Sequence, residues 1–282
     1  MVIRELLKKA DIILSNKGID DSFNEAAVLF AFAADRSKTY IFTHMDEEAD
    51  AETVKRFDDY VNKRSQRTPV AYITGSAWFM FMELKVNSAT LIPRPETEEL
   101  AEETIRRIKE LPQDRIDVLD LCTGSGCIGL AAAYYDNRVN AVLCDLNPVC
   151  VKTAAENSSE LDLAERIETL KGDLFEPVEG RLFDVITINP PYIPTGDVAG
   201  LMKDVRDFEP GLALDGGTDG LDFYRKTAKS APAHLKKGGF LVLEIGIGQS
   251  EDIVQLLKES NFKDISIKMD ISGIPRIIIA FI

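Results

Sequence analysis

The second half of the chain alternates short apolar runs, rich in β-branched residues, with segments of helical periodicity. The apolar runs cover residues 116–121, 141–145, 167–171, 183–188 and 240–245, and the helical segments cover 128–134, 148–161, 221–235 and 251–260. Parallel strands joined by crossover helices produce this alternation, because each connection has to pass back over the sheet. The pattern predicts an α/β fold with a mostly parallel sheet.

The last two predicted strands, 265–269 and 276–281, are joined through Ser272 and Gly273. So short a connection has no room for a crossover helix. We therefore expect these strands to form an antiparallel hairpin at the edge of the sheet.

The first part of the chain differs from the second. Up to Arg67, apolar residues recur at helical spacing, which predicts a small helical bundle. From Pro69 to Leu91 an aromatic cluster and an alternating segment predict a β-hairpin linker, and Trp78, Phe79 and Phe81 are expected to pack in a core between the domains. The predicted domains are a helical part at 1–67, a hairpin linker at 68–95 and the α/β part at 96–282.

Charge argues against a strong nonspecific nucleic-acid binder. The chain has 33 Lys and Arg against 47 Asp and Glu, a net charge of −14, and nearly all the excess acid follows Pro95. Such a surface repels phosphate backbones. No apolar stretch has the length of a signal peptide core or a membrane span, so a cytoplasmic location is expected.

Metal binding is not indicated either. The four cysteines, Cys122, Cys127, Cys144 and Cys150, form no C-x-x-C pair, and the chain has only two histidines. We interpret the cysteines as buried free thiols in a reducing compartment.

A glycine-rich turn joins the first predicted strand of the sheet to its helix. Gly124, Gly126 and Gly129 satisfy G-x-G-x-x-G, and Asp145 ends the following strand. Glycines allow a ligand to approach the backbone closely, and the acid can accept both hydroxyls of a ribose. Together they predict an adenosine-containing cofactor, with NAD and S-adenosylmethionine both open; the plainer alternative is a tight turn with Asp145 as a helix cap.

Two segments resemble class I S-adenosylmethionine-dependent methyltransferases. Asp-Leu-Cys-Thr-Gly-Ser-Gly-Cys-Ile-Gly at 120–129 is similar to their first motif, with Cys122 where most have glycine, and Asn-Pro-Pro-Tyr at 189–192 resembles the signature of enzymes that methylate planar nitrogens. The resemblance implies a Rossmann-like fold and S-adenosyl-L-methionine as cofactor. The cofactor-binding residues it implies are Cys122, Thr123, Gly124, Ser125, Gly126, Asp145, Asp173, Leu174 and Asn189.

The Asn-Pro-Pro-Tyr segment suits amide chemistry. An amide nitrogen is a poor nucleophile because its lone pair is delocalised, so its N–H groups must be held by fixed acceptors. The Pro190-Pro191 pair locks two φ angles, and the Pro190 carbonyl and the Asn189 side-chain oxygen can accept from the substrate NH₂. Tyr192 offers a face for the planar group. We predict Asn189, Pro190 and Tyr192 as catalytic and all four residues as substrate-binding.

Further segments resemble the release-factor glutamine methyltransferases of the HemK/PrmC family. They are 69–75, the string Leu-Ile-Pro-Arg-Pro-Glu-Thr-Glu at 91–98, Glu209-Pro210 through Ala213-Leu214 with Gly216-Gly217 and Asp219-Gly220-Leu221, Glu244-Ile245-Gly246 with Gln249, and Asp270, Gly273 and Arg276. Phe81 departs from the glycine common in the family. In the same interpretation Arg94 and Thr97 reach toward the cofactor, and the acidic residues from Glu96 to Glu103 form a solvated helix face.

That resemblance implies N5-methylation of the glutamine in the Gly-Gly-Gln motif of class I peptide chain release factors, with the helical part recognising the substrate. A ribosomal-protein glutamine methyltransferase and an adenine-N6 methyltransferase acting on nucleic acid stay open as alternatives. From other classes, an NAD-dependent oxidoreductase lacks a hydride-transfer set on the later strands and leaves the Asn-Pro-Pro-Tyr segment unexplained. A silent binding module would not be expected to keep the glycine loop, Asp145 and Asn-Pro-Pro-Tyr in register. We expect a monomer that makes no direct contact with nucleic acid or membrane.

Overall fold

The computed structural model describes residues 1–282 and contains eleven α-helices and nine β-strands. The helices are α1 (Ile3–Ser15), α2 (Ser22–Ala34), α3 (Lys38–Thr43), α4 (Ala51–Ser65), α5 (Val70–Thr74), α6 (Pro95–Glu110), α7 (Cys127–Tyr135), α8 (Pro148–Glu160), α9 (Lys203–Arg206), α10 (Asp222–Ser230) and α11 (Ser250–Glu259). The strands are β1 (Ser76–Phe79), β2 (Met82–Lys85), β3 (Ile116–Leu121), β4 (Val139–Asp145), β5 (Ile167–Lys171), β6 (Phe183–Ile188), β7 (Leu235–Glu244), β8 (Lys263–Met269) and β9 (Pro275–Phe281).

The chain forms two compact units. A helical unit contains Met1–Ser76 together with Lys203–Phe208, and a second unit contains Ala77–Met202 and Glu209–Ile282. The second unit is named the catalytic unit after the activity that the sequence resemblance implies. The helical unit therefore includes a six-residue segment from the second half of the chain. None of the helices combines the length and the apolar character that crossing a bilayer requires.

Helix α4 of the helical unit begins at a capped position. The Asp50 carboxylate accepts the backbone N–H groups of Glu52 (3.0 Å) and Thr53 (2.9 Å), which helical bonding leaves free. Phe57 lies on the buried face of α4. Its ring packs edge-on against that of Phe30 on α2, with 5.1 Å between the ring centroids. The predicted helical bundle is thus present.

The segment that follows α4 differs from the prediction. Residues 70–74, expected to open the hairpin, form the short helix α5, and Gly75 ends it in the left-handed conformation with φ +76°. The i, i+3 pair Val70 and Ile73 packs against the apolar core of the bundle. The helical unit consequently runs to Ser76, beyond the predicted boundary at 67, and no hairpin linker spans 68–95.

The hairpin itself is confined to β1 and β2. Its two turn residues, Met80 and Phe81, both have positive φ, as a tight two-residue hairpin turn requires. Phe79 is buried, whereas Trp78 is 68% and Phe81 92% exposed. The expectation that all three aromatics pack in a core was wrong for Trp78 and Phe81: β1 turns Trp78 away from the core, and the turn holds Phe81 outward.

The catalytic unit is built on a seven-stranded sheet in the order β5-β4-β3-β6-β7-β9-β8. The first five strands are parallel, and β9 lies antiparallel between β7 and β8. One apolar core covers each face of the sheet, with Val118 and Leu143 on one side and Leu119 and Ile186 on the other. The predicted sheet, including its antiparallel C-terminal hairpin, is confirmed.

One predicted helix was too long. The pattern indicated a helix over 221–235, but α10 ends at Ser230, because Pro232 in the following turn cannot continue it. Strand β7 then begins at Leu235 rather than at Phe240. A break in its register with β6, between Phe183 and Val185, accommodates the extra residues.

Candidate functional site

A cleft lies where the parallel strands of the catalytic unit end. Its walls include seven predicted site residues that follow or terminate β3, β4, β5 and β6: Cys122, Gly124, Asp145, Asp173, Leu174, Asn189 and Pro191. Ligands of open α/β sheets bind at this edge, because the loops after the strands leave a crevice there. The other predicted residues, Thr123, Ser125, Gly126, Pro190 and Tyr192, do not line this cleft.

The glycine loop after β3 has the backbone that close ligand approach requires. Gly124 has φ +57°, and a Cβ atom added there would meet nothing within 4 Å. Gly126, with φ +88°, precedes α7, and a Cβ there would lie 2.8 Å from Leu130 Cδ1. Gly124 thus opens the cleft, whereas Gly126 allows tight packing of the helix.

Thr123 and Ser125 support the loop from behind. The Thr123 hydroxyl donates to Asp120 Oδ2 (2.5 Å), and the Ser125 carbonyl accepts from Asn157 (2.8 Å). Both serve the loop's conformation rather than the cleft wall. Thr123, Ser125 and Gly126, predicted to contact a cofactor, therefore lie beside Gly124 in the loop but do not line the cleft themselves.

Cys122 is the departure from glycine noted in the sequence. It adopts φ +55°, a conformation that glycine takes at no steric cost. Its side chain lies half-buried on the cleft wall, and burial raises the pKa of its thiol well above the usual range. Cys122 therefore contributes a neutral, polarisable surface.

Asp145 holds the loop and faces the cleft. Its Oδ2 accepts the Gly124 N–H (2.9 Å) and its Oδ1 accepts the Asn147 N–H (2.8 Å), which leaves lone pairs on both oxygens. Burial raises the pKa of Asp145 above its ordinary value. The cap of α8 is Asn147, whose side chain accepts from Val149 N, so Asp145 is not a helix cap.

Another part of the cleft wall is formed after β5. Leu174 is almost completely buried, with φ +49°, while Asp173 is half-exposed and lies 3.4 Å from Lys226 Nζ. An apolar side chain beside a carboxylate is a suitable surface for a planar ring that carries an amine.

The Asn-Pro-Pro-Tyr segment follows β6 directly. Asn189 Nδ2 donates to Thr97 Oγ1 (3.1 Å), so its Oδ1 is left as an acceptor. Pro190 and Pro191 are buried, and Tyr192 packs against the apolar core beneath the sheet edge. Burial, with Glu244 nearby, raises the pKa of Tyr192 to about 12, which keeps the phenol neutral.

Three other residues hold the backbone of this segment from outside. Gln249 Nε2 donates to the Tyr192 carbonyl (2.9 Å), and a Cβ on Gly216 or Gly220 would lie 2.8 Å or 2.3 Å from Tyr192 backbone atoms. The glycine-rich stretch and Gln249, noticed in the sequence only by resemblance, are thus explained by close packing on the segment.

Arg94 and Thr97 do not reach the cleft wall. Arg94 forms an ion pair with the buried carboxylate of Glu209, which also accepts the Ile92 N–H (3.5 Å). Thr97 is 3% exposed and donates to Glu244 Oε2 (2.7 Å). The acidic residues from Glu96 to Glu103 of α6 do not form a wholly solvated face, because Glu103 is buried against Arg106 and Arg107.

Glu244 was noticed in the sequence only as part of a segment that resembles the family, and sequence reasoning assigned it no role. It is 2% exposed, it ends β7 beside the end of β6, and burial raises its pKa to about 7, against hydrogen bonding from Thr97 and the charge of Arg276. A signal was available, because a carboxylate that ends a buried apolar strand at the ligand-binding edge of a sheet is unusual.

The donor set of the cleft fits an adenosine-type ligand. Asp145 presents acceptors for paired hydroxyls, Leu174 an apolar surface, and Asp173 an acceptor for an exocyclic amine, while Gly124 leaves the backbone open.

Comparisons with known proteins cover both units. Residues 5–75 match the family model of the PrmC N-terminal domain, and residues 104–202 match that of the methyltransferase small domain. A release factor glutamine methyltransferase of Clostridium acetobutylicum is 34% identical over 282 residues, covering 99% of this chain and 98% of the relative. One of Moorella thermoacetica is 36% identical over 282 residues, covering 100% and 99%.

Solved structures agree on the fold. The crystal structure of a methyltransferase from Pyrococcus furiosus is similar with a TM-score of 0.53 at 17% identity, covering 72% of this chain and 89% of that one. At this identity the likeness concerns the fold alone.

Proposed function

The chain belongs to the family of release factor glutamine methyltransferases, and from this premise we propose that it methylates N5 of the glutamine in the Gly-Gly-Gln motif of class I peptide chain release factors. The observation that carries the proposal is the orientation of Asn189 at the cleft, with its nitrogen bonded to Thr97 and its oxygen left to accept from an amide. Full-length similarity disfavours an oxidoreductase or a silent module.

We propose S-adenosyl-L-methionine as the cofactor. Asp145 would accept the ribose hydroxyls, Asp173 the adenine amine, and Leu174 would contact the adenine ring, with Cys122 and Gly124 at the loop. When bound, this cofactor supplies a methyl group already activated by a sulfonium, so no covalent enzyme intermediate is required.

The Asn-Pro-Pro-Tyr segment would align the substrate amide. Asn189 Oδ1 and the Pro190 carbonyl are acceptors in a loop that two proline rings make rigid, and the Pro190 carbonyl receives no hydrogen bond from the protein. Both substrate N–H groups can therefore be held while the lone pair of the nitrogen turns toward the methyl group. Tyr192 would flank the plane of the amide. The contribution of these residues is alignment.

Recognition of the release factor needs more than this pocket, because a glutamine side chain offers few atoms and each contributes little binding free energy. We propose that the helical unit supplies a second contact with the protein substrate. All the proposed site residues come from one chain, so we also propose that the monomer is the working form, acting in the cytoplasm where translation terminates.

The test is mass spectrometry of a purified class I release factor after incubation with enzyme and isotope-labelled S-adenosylmethionine. We expect one added methyl group on the glutamine of Gly-Gly-Gln and none on a nucleic-acid substrate incubated in parallel. Asn189→Ala should lose most of its turnover while its melting temperature is unchanged, and Asn140→Ala, at the far end of β4, should behave as wild type. Methylation of the nucleic acid instead of the release factor would refute the proposal.

A further inference from the structure

A buried chain of hydrogen bonds lies behind Asn189. Asn189 Nδ2 is 3.1 Å from Thr97 Oγ1, and Thr97 Oγ1 is 2.7 Å from Glu244 Oε2. Thr97 and Glu244 are 3% and 2% exposed, so water cannot replace either partner easily. The three residues come from β7, α6 and the loop after β6, elements that are distant in sequence.

While Glu244 is ionised, the two hydrogen bonds can be donated in one direction only, from Asn189 to Thr97 and from Thr97 to Glu244. A carboxylate only accepts, so the Thr97 hydroxyl proton must point to Glu244, and the Thr97 oxygen is then an acceptor for Asn189 Nδ2. If the Asn189 amide turned over, its oxygen would face the Thr97 oxygen with no proton between them. The network therefore favours the one orientation in which Asn189 Oδ1 faces the cleft.

Glu244 also lies at the other end of the Asn-Pro-Pro-Tyr segment. The Tyr192 hydroxyl is 3.5 Å from Glu244 Oε1, a long hydrogen bond, and the Tyr224 hydroxyl donates to the Glu244 backbone carbonyl (2.9 Å). One carboxylate thus interacts with both ends of the segment, with Tyr192 directly and with Asn189 both through Thr97 and through a side-chain hydrogen bond of its own.

We propose that Thr97 and Glu244 are positioning residues, which fix the Asn189 side chain with its oxygen toward the substrate amide. The inference deepens the proposed function and rests on it for the identity of the amide. The orientation of Asn189 is a property of the protein alone and can be measured without a substrate.

Protonation of Glu244 should exchange the donor and acceptor roles in these two hydrogen bonds. A neutral carboxyl can donate to Thr97 Oγ1, the Thr97 hydroxyl can then donate to Asn189 Oδ1, and the amide nitrogen would face the cleft. Burial raises the pKa of Glu244 to about 7, opposed by the hydrogen bonds of Thr97 and Asn189 and by Arg276 on β9, and supported by Glu96 on α6. Tyr192, Tyr224 and Cys127 are further titratable groups that interact with it. The reversal should therefore fall near neutral pH.

The first experiment follows the Asn189 side-chain NH₂ resonances by NMR, assigned by their absence in Asn189→Ala. In wild type they should shift with pH, with a midpoint near 7, and in Glu244→Gln the shift should disappear. Thr97→Ser, which keeps the hydroxyl, should titrate like wild type, and Thr97→Val, which retains only the direct interaction of Asn189 with Glu244, should show a smaller shift. Resonances that ignore pH in wild type, or that titrate unchanged in Glu244→Gln, would overturn the inference whether or not the protein methylates release factors.

The second experiment measures kcat and KM with intact release factor over about pH 6 to about pH 8. Thr97→Val should lower kcat by about 10- to 100-fold, with KM within about twofold of wild type, because the lost hydrogen bond acts on alignment rather than on docking. Thr97→Ser should restore kcat. Wild-type kcat should fall as pH falls, and Glu244→Gln should lose this dependence.

The two experiments separate the possible failures. A titrating Asn189 with no methylation of the release factor would leave the positioning network standing and refute the proposed substrate. Normal kcat in Thr97→Val with a folded protein would refute the positioning role and leave the substrate standing. If Thr97→Val did not fold, Glu244→Gln and Thr97→Ser would decide the matter through the pH profile.

Discussion

The helical unit and the ligand-binding edge of the sheet treat buried charge in opposite ways. In the helical unit the Arg64 side chain, 6% exposed, forms ion pairs with Glu25 (2.5 Å) and Asp204 (2.7 Å). In the catalytic unit the carboxylates of Asp120 and Glu244 are as deeply buried, but neither forms an ion pair with a lysine or arginine. The catalytic unit pairs other buried carboxylates, such as Glu209 with Arg94, but at its ligand-binding edge it keeps these two acceptors unpaired in a low-dielectric site.

The pKa values follow this difference. Burial lowers the pKa of Arg64, but hydrogen bonds to Glu25 and Asp204 outweigh it and raise the pKa above its ordinary value. Burial raises the pKa of Asp120 to about 6 and that of Glu244 to about 7, because hydrogen bonds from hydroxyl and amide groups offset it only in part. Perturbed carboxyl groups at a ligand-binding edge mark function, whereas the paired charges of the helical unit mark structure.

The largest effect should come from breaking the paired cluster. Arg64→Met leaves Glu25 and Asp204 without their shared partner and should destabilise the helical unit by about 3 to 5 kcal/mol. The matched control is Lys63→Met, which removes a solvent-exposed pair with Asp59 and should leave stability close to that of wild type. Amide hydrogen exchange in α2 and α4 measures both. Equal protection in the two variants would show that the buried cluster is not structural.

Glu244→Gln, in contrast to Arg64→Met, should stabilise the protein at high pH. The native pKa of about 7 lies above the ordinary 4.5, so the stability contributed by this group is full below about pH 4.5 and is lost as pH rises through 7. At pH well above 7 the buried carboxylate costs roughly 3 kcal/mol at most, which the variant should recover in part as a higher melting temperature.

The gain from Glu244→Gln should vanish near about pH 5, where wild type is protonated too. The control is Glu251→Gln, an exposed position at the start of α11. A gain that did not vary with pH would mean that the burial of the charge is not its cause.

Asp145→Ala tests the cofactor half of the site. Its removal should weaken binding of S-adenosylmethionine by about 1.5 to 3 kcal/mol, the range for hydrogen bonds to a charged group. Titration calorimetry measures the change, with the exposed Asp252→Ala as control. NAD should bind neither protein. Wild-type affinity in Asp145→Ala would exclude the ribose contact.

How far the sequence predicts this molecule depends on the range of the interactions. The sheet was predictable because burial imposes a local pattern on strands such as β3 and β6, and the glycine loop because its backbone demands particular residues. Helix α5 was missed because tertiary packing of Val70 and Ile73 overrode the β-branched composition, although Gly75 was a usable stop signal.

Contacts between distant segments were not predictable. The pairing of Arg64 with Asp204 joins residues 140 positions apart, and the hydrogen bond between Thr97 and Glu244 joins residues 147 apart. Neither leaves a periodic trace in the sequence. The same limit applies to the ligand-binding edge, where Asn189 was predicted with its oxygen toward the substrate, but the side chains of Thr97 and Glu244 that hold it were not predicted to do so.

The smallest predicted effect concerns recognition by the helical unit. Since Lys203–Phe208 belongs to this unit, deleting residues 1–67 would also strip Asp204 of its partners, so a point substitution is the cleaner test. Ile12 on α1 is 60% exposed and, unlike the paired charges, has no structural role that requires it. Ile12→Ala should raise KM for intact release factor by about threefold to tenfold, as expected for an interface contact worth about 1 kcal/mol.

The same substitution should leave KM for a short Gly-Gly-Gln peptide unchanged, because the peptide reaches only the pocket. Ile271→Ala provides the matched control: this isoleucine is 98% exposed, but it belongs to the turn between β8 and β9 in the catalytic unit. Side-by-side methyl-transfer assays on both substrates give the four values needed. If Ile12→Ala raised KM equally for peptide and protein, the α1 face would act through the catalytic unit; if it changed neither, the second contact would have to lie on another face of the helical unit.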